Sequence, residues 1–229
     1  MNLILIGGEY SGTTTLASKI SEWGKKTFGG DHHGWHDHWK IPHLAHGELT
    51  EEEFQQILNL SPNLKEQYQR YHMEYHLQPS FYSDPDFNLV GFCYDEVVYG
   101  PLYYGYGDQG AYSGRAVHVR RIEKTISVMA PGTVLILLKC SPEVIRERMK
   151  KDPHKHGLLK DKDVEHVLNS FEQQFNSSIL RRKMTLDSTS TSPDKLIKEF
   201  EEKFMDAFLT DIDRQRLIVR SMKKNKKNQ

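Results

Sequence analysis

Short continuous apolar runs along this chain alternate with longer stretches in which apolar residues return at helical spacing. The run Asn2 to Ile6 (NLILI), closed by glycines, predicts a buried parallel strand. From Gly12 to Lys26, Leu16, Ala17, Ile20 and Trp23 share one helical face. A second strand is expected near Trp35 to Ile41. Thr50 opens a helix as a capping box with Glu53, hydroxyl and carboxylate each satisfying the other's free amide. Ser61-Pro62 opens another helix to about His76, with proline at the first helical position. Asn88 to Asp95 (NLVGFCYD) predicts a third strand, followed by an aromatic- and glycine-rich loop from Tyr99 to Gly114. Helix resumes over about Arg115 to Met129. Thr133 to Lys139 (TVLILLK) predicts a central strand, and Ser141-Pro142-Glu143 caps the helix after it. A polar loop, Asp152 to Asp161, precedes a helix near Val164 to Leu180. Lys183 to Asp187 (KMTLD) is a last short strand, and Ser192-Pro193 caps a helix after it. The lysine-rich tail from Arg220 is expected to fray.

Strands alternating with helices predict an α/β three-layer sandwich around a parallel sheet of roughly five strands. In such sheets ligands bind beyond the carboxyl ends of the strands. The turns after Ile6, Asp95 and Lys139, and the loop after the second strand, therefore share one rim.

The phosphate-loop pattern is G-x-x-x-x-G-K-[ST] between a strand and a helix. Gly7 to Thr14 reads G-G-E-Y-S-G-T-T, with both framing glycines and the terminal hydroxyl of Thr14 in register. Gly7, Gly8 and Gly12 let successive amides of Gly8, Tyr10, Ser11, Gly12, Thr13, Thr14 and Thr15 turn toward an anion. The helix N-terminus adds about half a positive charge. Thr14 can ligate Mg²⁺. Thr13 stands where the pattern has lysine, so the loop's own cation is missing. Three readings stay open: a glycine-rich turn without a ligand, a binding protein without catalysis, and an enzyme whose charge comes from the Arg146 to Lys151 cluster. Lys19 lies nearly two helical turns beyond Thr13 and is too far to substitute.

With these motifs the chain resembles the nucleoside and nucleotide kinases, thymidylate kinase most of all, over about residues 1–208. The resemblance implies a P-loop kinase-like domain with a lid at about 150–163, followed by a basic tail at 209–229. It implies ATP and Mg²⁺, with a nucleoside monophosphate such as dTMP as acceptor. It places Glu9, inside the loop, on the acceptor sugar. It matches Asp95-Glu96 with an acidic–basic pair at the end of the third strand, Glu96 replacing the basic member. Asp95 is then the catalytic base or a metal partner beside Thr14. Asp37, with His38 after it, falls on the carboxylate following the second strand. Tyr99 and Tyr103 line the acceptor side, and Arg115, Arg120 and Arg121 are the arginines expected on the acceptor phosphate. Arg146, Arg148, Lys150, Lys151 and Lys155 fit the cationic lid, with Arg146, Arg148 and Lys151 assigned to transition-state charge. The donor base falls near Asp187 to Ser192. A homodimer is a further implication of the resemblance.

Composition narrows the partners. There are 31 basic and 31 acidic residues, so no global electrostatic footprint for nucleic acid exists. Lys223, Lys224, Lys226 and Lys227 read as a solvated terminus. Cys93 and Cys140 have no paired spacing and read as reduced core thiols. The N-terminus lacks a secretory leader pattern, and no apolar run approaches the ~18 residues of a membrane span. A cytoplasmic protein without a membrane partner is expected. The segment Asp31 to His38 (DHHGWHDH) has metal-ligand composition but no accompanying cysteine pair or H-E-x-x-H, so lining the acceptor side is its other reading. Six tyrosines between Tyr94 and Tyr112 offer rings for a base or for packing.

Overall fold

The computed structural model describes residues 1–29, 36–37, 49–74, 78, 86–108, 114–155 and 157–227, with the side chains at 36, 37, 72, 74 and 224–227 excepted. Residues 31–35 and His38 of the His-rich segment lie outside these residues, as do Tyr75, His76, Tyr112 and all but two residues of the second strand expected at 35–41.

The strands are β1 (Asn2–Ile6), β2 (His36–Asp37), β3 (Phe87–Val90), β4 (Val134–Lys139) and β5 (Arg182–Asp187). The helices are α1 (Thr13–Phe28), α2 (Glu51–Leu58), α3 (Pro62–Glu74), α4 (Phe92–Tyr99), α5 (Arg115–Met129), α6 (Pro142–Lys151), α7 (Val164–Ser177), α8 (Pro193–Ala207) and α9 (Asp211–Lys227). β3, β1, β4 and β5 pair in that order, all parallel, and the two-residue segment β2 pairs along the outer edge of β3. The β1 register sets Leu5 against Val90 on one side and Ile136 on the other, so all three strands end near one rim.

Alternation along β1 explains the two-sided core. Ile4 and Ile6 join a cluster with α4, α5 and α7, while Leu3 and Leu5 join one with α1 and α8. Side chains two apart share a sheet face, so each face must be covered by helices. The α1 face predicted from spacing is the buried one: Leu16, Ala17, Ile20 and Trp23 are all covered. The Trp23 ring meets Phe28, Phe200 and Phe204 edge-on at 5.4–5.8 Å. The capping box at Thr50 and Glu53 forms as its sequence predicts.

Two expectations change. The third strand stops at Val90, and Phe92 to Tyr99 is helix. Gly91 (φ 70°) and Phe92 (φ 51°) turn the chain at that point. Seven of the eight α4 residues are buried, so an all-round apolar helix imitates a strand in sequence. Asp95 is thereby in the first turn of a helix, not at a strand end. The tail from Arg220 does not fray but continues α9 to Lys227. Arg216 donates to the Gly29 carbonyl at 2.6 Å and Arg220 to that of Lys26 at 3.0 Å, tying α9 to the end of α1.

Candidate functional site

The rim above β1, β4 and β5 opens into a cleft of about 740 Å³, lined by loop 7–15, Asp95, Tyr99, Arg148, Lys151, His154 and Ser188 among others. The phosphate loop takes its shape from close contacts. A Cβ at Gly7 would meet the Leu138 carbonyl at 2.7 Å, the Ser11 hydroxyl at 2.8 Å and the Thr13 methyl at 3.3 Å. Tyr10 (φ 69°) and Gly12 (φ 95°) are left-handed, and the Ser11 amide closes a turn onto the Gly8 carbonyl at 2.9 Å. Gly12 precedes α1 without a side-chain cap, and the first intrahelical amide bonded is Leu16, to the Gly12 carbonyl at 3.0 Å. The amides of Thr13, Thr14 and Thr15 therefore have no intrahelical acceptor and open toward the cleft. The Ser11 hydroxyl is fully buried and has no hydrogen-bond partner among the described residues. Thr14 and Thr15 are exposed at the mouth.

Glu9 is placed differently from the acceptor role that the resemblance implies. Its carboxylate is 1% exposed. One oxygen accepts the Leu158 and Leu159 amides, both at 2.9 Å, and the other lies 2.8 Å from His154 Nδ1. The Tyr10 ring stacks on His154 at 4.0 Å, and its hydroxyl accepts the His154 amide at 3.0 Å. Gly157 fits because a Cβ there would stand 2.9 Å from the Tyr10 hydroxyl. Residues 9 and 10 of the phosphate loop thus latch His154, Leu158 and Leu159 beside the cleft. Tyr99 lines the cleft wall; its hydroxyl accepts the Glu9 amide at 2.9 Å, and burial raises its phenol well above the usual range. Tyr103 donates to Asp163 at 3.0 Å and accepts the Lys160 amide at 3.3 Å; burial pushes its phenol up to about 12.

The predicted cations separate into groups. Lys151 lines the cleft, is exposed, and joins no ion pair among the described residues. Arg148 lines the cleft but donates to backbone carbonyls of Tyr10 at 2.9 Å and Ser11 at 3.1 Å, and to that of Ser188 at 2.8 Å. Arg146 bridges Asp161 at 2.9 Å and Glu165 at 2.7 Å, pinning α6 to the start of α7 outside the cleft. Lys155 pairs with Glu51 at 3.5 Å. Arg120 bonds Glu123 at 3.0 Å and Arg121 faces solvent; neither lines the cleft. The backbone of Asp37 lies at the sheet edge beside Val90, and His38 is outside the described residues.

Arg115 is 1% exposed inside a charged cluster beneath α4. It pairs with Glu66, which also holds Arg70 at 2.6 Å, and stands 3.5 Å from Glu96 and 5.4 Å from the Tyr106 ring centre. Burial pushes the Glu96 carboxyl up to about 8, against the opposing pull of the Tyr106 hydroxyl and the Arg70 charge. Burial lowers the Arg115 guanidinium to about 10 and, with three nearby arginines, the His118 imidazole to about 4. Glu96, the acidic replacement for a basic neighbour of Asp95, is therefore turned away from the cleft and is mostly neutral near pH 7. It adds little negative charge to the reaction space.

No protein-family model and no curated protein matches this chain. Among solved structures it resembles the YorR protein from Bacillus subtilis, crystallised in complex with phosphorylated GDP, at 16% identity and a TM-score of 0.56, over 91% of this chain and 100% of that one. It also resembles a gluconokinase from Sinorhizobium meliloti at 13% identity and a TM-score of 0.44, over 90% of this chain and 97% of that one. The likeness to the YorR chain is one of fold, an α/β domain built around a parallel sheet.

Asp95 stands 4% exposed at the cleft wall, its carboxylate folded over Gly91, where only a glycine leaves room for it. His154 and Ser188 are cleft residues that sequence reasoning did not single out. No local pattern marks either one, because their partners are 145 and 177 residues away. Among the described residues no group of three His, Cys, Asp or Glu is placed to hold a metal ion. Mg²⁺ keeps several waters and binds through one or two carboxylates plus phosphate oxygens. The Thr14 hydroxyl and Asp95 carboxylate, both on this cleft, fit that lean donor set. Among the described residues no helix is long and apolar enough to cross a membrane.

Proposed function

We propose that the chain is a phosphotransferase of the nucleotide-kinase type, moving the terminal phosphate of ATP to a nucleoside monophosphate, dTMP included, or a similar small acceptor. The observation that carries this reading is the convergence on one cleft of the helix-opening amides of residues 13–15, the Asp95 carboxylate and Lys151, which joins no ion pair among the described residues. Phosphoryl transfer needs positioning and charge neutralisation more than covalent chemistry. The loop amides would hold the donor phosphates, and Lys151 would neutralise charge on the transferring group in place of the absent loop lysine. Asp95 would accept the acceptor's proton or help hold Mg²⁺. Bound through Thr14, Asp95 and phosphate oxygens, Mg²⁺ would neutralise phosphate charge as Lewis acid. The nucleotide in the YorR complex supports a nucleotide as ligand here.

A second reading, nucleotide binding without turnover, is favoured by one observation: Glu9 is engaged by the lid. A coupled assay with a panel of nucleoside monophosphates separates the two. ATP-dependent turnover that Asp95→Asn abolishes supports the transferase. ATP raising the melting temperature with no turnover on any acceptor supports the binding protein. The expected homodimer is tested by sedimentation, and cytoplasmic residence by imaging a tagged chain.

A further inference from the structure

The Arg148 guanidinium, carried by α6, is engaged with backbone from two distant segments. Nη1 reaches the Tyr10 and Ser11 carbonyls at 2.9 and 3.1 Å and the Ser188 hydroxyl at 3.3 Å; Nη2 reaches the Ser188 carbonyl at 2.8 Å. The Ser188 hydroxyl, itself buried, donates to the same Ser11 carbonyl at 2.7 Å. These carbonyls belong to the stretch where the backbone is least at ease. Tyr10 is a non-glycine residue at φ 69°, and Gly12 follows at φ 95°. A left-handed tyrosine persists only where its surroundings over-determine it.

The carbonyl of a trans peptide and the amide that follows it point in opposite directions. Pinning the Ser11 carbonyl therefore aims the Gly12 amide away from the guanidinium. Pinning the Tyr10 carbonyl likewise orients the Ser11 amide, which closes its turn onto Gly8. The guanidinium also brings a fixed positive charge close to the loop: Nη1 is 4.0 Å from where a Gly12 Cβ would be. Thr13 offers the loop no such charge. A planar fork with several fixed donors suits this cluster of carbonyls, and a lysine ammonium does not reproduce it.

We propose that Arg148 is a positioning residue that braces the phosphate loop in its anion-binding shape from outside, with Ser188 as its second support, so that a loop without its own lysine stays preorganised. The proposal rests on the phosphate-site reading above for its ligand, but its structural half can be tested without one. It also gives Arg148 a different part from Lys151, which lines the cleft without an ion-pair partner among the described residues.

The test uses the full chain with Arg148→Ala and Arg148→Lys. Amide exchange at residues 11–14 is followed in the ligand-free protein, and calorimetry measures tripolyphosphate binding. Removing a charged donor to buried carbonyls should speed loop exchange and weaken tripolyphosphate by about tenfold or more. Arg148→Lys should recover little of either. Non-denaturing methylguanidinium should restore both in Arg148→Ala, while urea at equal concentration should not. Loop exchange within about twofold of the parent in Arg148→Ala overturns the brace. So does a loss spread evenly over the chain that methylguanidinium does not reverse. Should Arg148→Ala fail to fold, Arg148→Lys decides by the same exchange measurement, and parent-like loop exchange there overturns the proposal. A parent chain that binds no tripolyphosphate would sink the phosphotransferase reading, while the exchange arm still decides the brace.

Discussion

Replacing Glu9 by glutamine should open the lid without unfolding the protein. The Glu9 carboxylate accepts two backbone amides at 2.9 Å on one oxygen and meets His154 at 2.8 Å on the other, with the side chain 1% exposed. A glutamine keeps one acceptor oxygen, which can serve Leu158 and Leu159, and turns its NH₂ toward His154. What is lost is charge assistance. Hydrogen bonds to a charged group contribute about 1.5–3 kcal/mol net, against about 0.5–1.5 kcal/mol for neutral pairs. Over this set the loss is about 2 kcal/mol, or ~30-fold in the opening constant of the segment 154–159. Glu9→Ala is the stronger case, since it orphans two amides, that of Leu159 buried and that of Leu158 part-buried; those amides escape their penalty by opening to water, so the loss stops at the free energy of docking this segment. Hydrogen exchange read at Leu158 and Leu159 measures the opening directly. Exchange there should rise about 30-fold in Glu9→Gln while the amides of β1 and β4 keep their rates. Unchanged rates at 158 and 159, or an equal rise throughout the core, would refute the latch.

Lys151→Met should lower kcat by about ten- to a thousandfold and leave the melting temperature unchanged, because the side chain is exposed and unpaired among the described residues. Arg146→Met should do the opposite, sparing kcat and barely moving the chemical denaturation midpoint, since its two partners are exposed. Gly91→Ala meets the Asp95 carboxylate and a φ of 70°, so it should displace Asp95 and cost about 1–3 kcal/mol together with turnover. Stability should also carry a pH signature. The Glu96 carboxyl is raised from 4.5 to about 8, so its contribution is complete below pH 4.5 and is lost as pH rises toward 8. His118 is lowered from 6.5 to about 4, so its contribution is present above pH 6.5 and lost toward pH 4. Of these two groups, Glu96 alone titrates between pH 6.5 and 8, and Glu96→Gln should lessen the dependence of the melting temperature on pH across that window.

What the sequence carried and what it did not divide along the range of the interactions. β1, α1, α5, α6 and the α8 start were legible because a strand run, a helical face or a cap is written in residues a few positions apart. The strand–helix error at Phe92 has the same root: an element covered on every side has no periodicity to read, and only Gly91 marks the break. The phosphate loop was legible as a pattern for the same local reason. Its partners were not, since each is fixed by tertiary placement. Glu9 meets residues 149 and 150 positions away, and Arg148 meets the loop across 137 and 138.

That division bears on the missing lysine. Read along the chain, Thr13 and Glu96 look like two lost positive charges at one reaction centre. In the fold they are unequal. Glu96 lies among Arg115, Tyr106 and Arg70 with a carboxyl that burial keeps mostly protonated at neutral pH, so its substitution barely alters the cleft. Thr13 lies in the loop, and on the proposed reading its deficit would be met by two residues of α6 three positions apart: Arg148 on the carbonyls and Lys151 on the open cleft. Residues three apart lie on neighbouring parts of one helical face, so a single helix can serve both places at once. Glu96 therefore adds little negative charge without supplying a positive one, and the deficit at Thr13 falls where α6 is already in contact. A sequence that kept Thr13 but lost the Arg148 and Lys151 spacing would be expected to bind phosphate weakly, whatever remained of its glycines.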